Sequence, residues 1–162
     1  MNNYNKFPKC YNYFKQEVEK YYLPEMVNTI GKVDLIVLED RTEESLYYLF
    51  PLIERLVVEI LKYKPDSNIE FYEQGTYRTL NSILEVEENK KYFDKDLVIL
   101  IKKYYEENGL RNKMLHFRGE NNIKLTTIDL LATKVITIKL LKLYNLTLKQ
   151  FDNTELNEIA LL

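Results

Sequence analysis

Glycine and proline occur only four times each in this chain of 162 residues, so it has few places to turn sharply. A sheet protein of this length would need many tight turns, and tight turns draw on those two residues. The scarcity favours long helices with short connections. The apolar pattern points the same way. After Thr42, with Ser45 nearby as a second capping hydroxyl, Leu46, Leu49, Phe50, Ile53, Leu56, Val57, Ile60 and Leu61 recur every three or four residues, the period of one helix face. Pro51 inside this run predicts a kink or the start of a second half.

Other segments read as follows. Lys9 to Tyr22 is a helix candidate stopped near Pro24, and Val33 to Leu38 is β-prone but lacks a second strand to pair with. Residues 64–68, KPDSN, form a loop, and a shorter helix is expected from about Thr76 to Val86. Asp94 can cap the next helix, whose buried side would carry Leu97, Leu100, Ile101 and Tyr104, and Asn108-Gly109 predicts a left-handed stop. A motif helix follows to Gly119. Thr126 or Thr127 then opens a last long helix, with Ile128, Leu131, Val135 and Ile138 expected to face inward. The expected fold is all-α, an antiparallel bundle of about five to seven helices. It forms one domain over residues 1–162, with a core over about 42–145, an N-terminal helical extension over 1–41 and a tail over 146–162.

Composition narrows the function classes. A net charge of −2 lacks the global basic signature of a nucleic-acid binder. Lys102, Lys103, Lys113 and Arg118 nevertheless gather around the motif helix as candidate RNA phosphate contacts, against the plainer reading of a solvated face. The single cysteine, Cys10, excludes an internal disulfide and a thiolate zinc site, so neither metal nor cofactor is expected. No run approaches the ~18–20 apolar residues of a membrane span, and the chain reads as soluble and cytoplasmic. Paired tyrosines at 21–22, 47–48 and 104–105 fit core or interface packing better than base stacking.

The chemistry concentrates in GLRNKMLHFRGE, residues 109–120, which places the only histidine, His116, five residues after Arg111 with Asn112 between. Imidazole moves a proton near neutral pH, and a guanidinium that never titrates holds the charge building on phosphate oxygens. In a helix, Leu110, Met114 and Phe117 would form the core stripe, while Asn112 and His116, four apart, share another face and Arg111 lies on its flank, presented outward with Leu115. Glu54 and Glu59, five apart, diverge by about 140° and argue against a paired-carboxylate site. The plain alternatives are a partly buried structural histidine, Arg111 paired with Glu106 or Glu107, and Asn112 as a surface residue.

The run DLVILIKKYYEENGLRNKMLHFRG, followed by a short loop and a long apolar helix, resembles the HEPN domain superfamily of small helical bundles, and within it modules of bacterial defence, abortive-infection and toxin proteins. The likeness covers roughly residues 42–145, and its defining element is Arg-x4-His. It implies a homodimer in which two motif helices meet, with Arg111, Asn112 and His116 of both copies lining one cleft of a metal-independent endoribonuclease. It also implies RNA as substrate and a defence-system or antitoxin partner. Arg118 stands where toxins paired with nucleotidyltransferases often carry Tyr, so neutralisation through that residue is not expected. In the implied reaction a 2′-hydroxyl attacks the adjacent phosphorus, the two imidazoles serve as base and acid, and Arg111 stabilises the transition state. The products are a 2′,3′-cyclic phosphate and a 5′-hydroxyl. A non-cutting HEPN-like module that binds RNA, nucleotide or protein, and a plain dimerisation domain, are the rival readings.

Overall fold

The computed structural model describes residues 42–69, 79–116 and 125–160. The expectations for Lys9 to Tyr22, Val33 to Leu38, Phe117, Arg118 and Gly119 lie outside these residues. The described chain is all-α, with no strand among the described residues. Its elements are α1 (Thr42–Lys62), α2 (Leu80–Ile83), α3 (Glu87–Lys90), α4 (Lys95–Tyr105), α5 (Leu110–His116) and α6 (Thr127–Ala160).

The three-four repeat of α1 is the spine of the core. All eight of its apolar positions from Leu46 to Leu61 are buried. Pro51 is exposed on the opposite side, and the helix runs through it. At one end of the bundle the Phe50 ring lies 6.3 Å from Tyr104, whose hydroxyl reaches Asp129 near the start of α6. At the other end Tyr63 packs against Tyr144 and Phe151. The helices α1 and α6 therefore run in the same direction, and α4 returns antiparallel to both.

Two helix starts follow their sequence signals, and a third, at α2, carries a cap that the sequence reading did not name. The Asp94 carboxylate accepts from the amides of Asp96 and Leu97 at 2.9 and 3.2 Å, capping α4. At α6, Thr126 and Asp129 close a reciprocal box: the Asp129 amide donates to the Thr126 hydroxyl, and the Thr126 amide donates to the Asp129 carboxylate. The Thr79 hydroxyl accepts from the Ser82 amide at α2.

Four expectations need correction. The helix foreseen from Thr76 to Val86 is, among the described residues, only the single turn α2. Val86 is extended, and the buried Asn89 amide donates to the Ile83 carbonyl at 2.9 Å, so the chain breaks and restarts as α3. Gly109 is not in the left-handed region. The helix α4 ends instead at an extended Glu106, and glycine is needed at 109 for space: a Cβ would collide with the Tyr104 carbonyl oxygen and stand 2.6 Å from its carbon. Leu100 is only half-buried.

The largest departure is on α6. Ile138 is buried, but Ile128 is 71% exposed, Val135 is 45% exposed and Leu131 only half-buried. The buried side carries Leu130, Thr133, Ile136, Thr137, Leu140 and Leu141 instead. The threonines can enter the core because their hydroxyls donate to carbonyls one turn back in the same helix, Thr133 to Asp129 and Thr137 to Thr133. The helix continues past residue 145 without interruption to Ala160. No described helix is long and apolar enough to cross a membrane.

Candidate functional site

Arg111 lies in the first turn of α5, which runs along the N-terminal half of α1 in the opposite direction. Met114 is buried there, and its carbonyl accepts from the Tyr47 hydroxyl at 3.4 Å. Two turns further along α1, Glu54 faces Arg111. The Arg111 Nε and Nη2 atoms lie 2.9 and 2.8 Å from the same oxygen of Glu54. The pair is half-withdrawn from solvent, with side-chain exposures of 21% for Arg111 and 34% for Glu54.

Asn112 completes the arrangement. Its carbonyl oxygen accepts from Arg111 Nη1 at 3.0 Å, and its amide nitrogen donates to the carbonyls of Glu106 at 2.9 Å and Tyr105 at 3.4 Å. Asn112 thus ties the guanidinium to the carbonyls left open where α4 stops. The Arg111 guanidinium also lies 6.0 Å from the centre of the Tyr105 ring. The Tyr105 hydroxyl donates to the Phe50 carbonyl at 2.6 Å. Burial pushes that phenol well above its ordinary pKa, the Glu54 charge pushes it further, and Arg111 partly offsets both.

Arg111 and Asn112 are therefore brought together, but not as a free outward pair: Arg111 faces α1, and Asn112 faces the end of α4. The acidic partner of Arg111 is Glu54, whereas Glu106 and Glu107 are exposed. His116 closes α5, four residues after Asn112. The side chains of Leu115 and His116 are not among those described. Lys113 is exposed. Lys102 pairs with Glu85 at 3.6 Å, and Lys103 lies over the Tyr104 ring, so these two lysines serve contacts of α4 apart from the Arg111 cluster. Of the tyrosine doublets, Tyr104 and Tyr105 are core residues and Tyr47 and Tyr48 are half-buried, in line with packing.

Glu54, weighed in the sequence only as a possible carboxylate partner of Glu59, is the residue whose pairing with Arg111 the pattern did not reveal. It falls within the apolar repeat of α1, directly after Ile53, where a charged residue next to a core position is a signal of an internal partner. On its outer side a groove of about 360 Å³ opens between α1 and α2, lined by Pro51, Glu54, Val58, Leu80 and Ile83 among others. Searches of family models, of curated proteins and of solved structures find no match to this chain.

Proposed function

We propose that this protein is a metal-independent endoribonuclease of the HEPN type, acting as a homodimer in phage defence, stress response or a toxin system. The observation that supports the reading is the fixed guanidinium of Arg111. Glu54 occupies its Nε and Nη2 edge and Asn112 accepts from Nη1. Of its five N–H donors, these three contacts leave two for phosphate oxygens among the described residues. Such a group binds the scissile phosphate with little reorganisation, which is what transition-state stabilisation requires.

In the proposed reaction one His116 takes the proton of the RNA 2′-hydroxyl as that oxygen attacks phosphorus. The bond from phosphorus to the 5′-oxygen breaks, and the second copy's imidazolium returns a proton to that oxygen. Neither proton transfer needs a metal. Lys113 and Arg118 would hold flanking phosphates, with Lys102 and Lys103 further out.

One observation favours a second reading. Because Glu54 offsets the charge of Arg111, the cluster also suits a non-catalytic HEPN-like module that binds RNA, nucleotide or a protein partner without cutting.

Purified protein incubated with RNA in excess chelator separates the two. The enzyme reading expects cutting to fall about 10²- to 10⁴-fold in His116→Ala and comparably in Arg111→Ala, with helical circular dichroism retained. Combining Arg111→Ala with Glu54→Gln removes the stranded carboxylate, so a loss of cutting that persists there belongs to the guanidinium. Intact RNA at high protein concentration, with binding retained, favours the non-cutting module.

A further inference from the structure

We propose that the groove between α1 and α2 is a base subsite, in which Glu54 accepts from the exocyclic amine of the nucleotide whose 3′-phosphate Arg111 holds. The proposal rests on the reading of Arg111 as a phosphate ligand. One side chain joins the two sites. Arg111 Nε and Nη2 both meet Oε1 of Glu54, and among the described residues Oε2 has no hydrogen-bond donor. Glu54 also lines the groove. Its second oxygen can take a ligand N–H in place of water.

The rest of the lining indicates what carries that N–H. Pro51, Val58, Leu80 and Ile83 make the apolar part of the groove, with Leu80 and Ile83 buried in the fold. Such a surface takes the face of a flat ring. Arg55, Glu59 and Lys62 line it as well, and Lys62 pairs with Glu59 at 2.8 Å. Two cations and two carboxylates leave no net charge to draw in either a cationic side chain or a bare phosphate. A neutral ring bearing a donor suits both the charge and the apolar floor. The volume of about 360 Å³ lies within the range of sites that hold small molecules. Adenine, cytosine and guanine carry an exocyclic amine, whereas uracil presents a carbonyl oxygen where cytosine presents its amine. A carboxylate accepts from the amine and repels the carbonyl. The subsite therefore selects against uracil on the 5′ side of the cut.

Cytidine 3′-monophosphate and uridine 3′-monophosphate, which differ at that edge of the ring, test this on the full chain. Titrations followed by the methyl signals of Val58, Leu80 and Ile83 should show the cytidine nucleotide bound about tenfold more tightly. In Glu54→Gln the preference should collapse, because an amide accepts from the amine or donates to the carbonyl. A merely structural loss of Arg111 placement would weaken both nucleotides in parallel and keep their ratio. Glu59→Gln should keep the ratio too. No binding, equal affinities in the unsubstituted chain, shifts that miss the three methyls, or a preference that survives Glu54→Gln overturns the proposal. Should Glu54→Gln fail to fold, the ratio and the shifts in the unsubstituted chain still decide. Selective binding beside RNA left intact in chelator would sink the ribonuclease reading and leave the subsite standing, whereas cutting without selective binding would do the reverse.

Discussion

The Tyr104 hydroxyl donates to the Asp129 carboxylate at 3.1 Å and ties the last turn of α4 to the first turn of α6. Burial, and then the neighbouring Asp129 charge, push the Tyr104 phenol up to about 12. Burial also works to raise Asp129, but the amide and hydroxyl of Thr126, the Tyr104 hydroxyl and the Lys103 charge outweigh it and hold the carboxyl below its usual range.

These opposite shifts define two pH windows. The contribution of Tyr104 is fully present below its unfolded value of about 10 and is lost as pH rises from there towards 12. That of Asp129 is present above its unfolded value of 3.8 and is lost as pH falls through its lower folded value. In Tyr104→Phe, urea unfolding followed against pH should show a shallower loss of stability above pH 10 and a smaller slope on the acid side. Tyr105, also raised by burial, should keep some of the alkaline loss in place. An unchanged profile at both ends would remove the Tyr104–Asp129 contact from the account.

The pair between Arg111 and Glu54 should be measurable as a coupling. A double-mutant cycle with Arg111→Ala and Glu54→Gln is expected to give a coupling of about 1 kcal/mol, at the upper end for partly exposed ion pairs, because both side chains are half-withdrawn and doubly bonded. Additive effects in denaturant unfolding would mean that Glu54 does not hold Arg111.

Gly109→Ala should cost about 1–3 kcal/mol, since the clash is with backbone that cannot step aside. Because Gly109 sets the step from α4 into α5, the same substitution should displace Arg111 and lower any RNA cutting more than it lowers the melting temperature would suggest. Thermal melts beside cleavage assays check both. Stability unchanged in Gly109→Ala would show that the close approach is not there.

Asn89 is fully buried and serves three backbone groups: it accepts from the Asn68 amide at 2.8 Å and donates to the carbonyls of Asn68 and Ile83, each at 2.9 Å. Asn89→Ala strands all three and should destabilise the fold by about 2–4 kcal/mol. Asn89→Asp should be nearly as harmful, because a carboxylate cannot donate to the two carbonyls. Equilibrium denaturation of the two variants tests this.

The core of α1 was legible because eight of its apolar residues keep one period, although Leu52, off that stripe, is buried as well. The caps at Asp94 and Thr126 were legible because capping is local chemistry. The inward side of α6 was not: apolar residues surround that helix, and burial went to threonines that satisfy their own hydroxyls. At the site, the closeness of Arg111 and Asn112 follows from their adjacency in the sequence, whereas Glu54 could not be paired with Arg111. Fifty-seven positions separate them, and only the packing of α5 on α1 brings them together.

The threonines of α6 have a further consequence. Each buried hydroxyl at 133, 137 and 147 hands its proton to the helix that carries it, Thr147 to the Leu143 carbonyl at 2.9 Å. They therefore make no directional demand on α1, and along these positions the seam between the two parallel helices is specified by contour. Such a joint tolerates exchange of a hydroxyl for a methyl of like size but resists any change of bulk, so evolutionary drift along it should vary polarity freely and volume hardly at all.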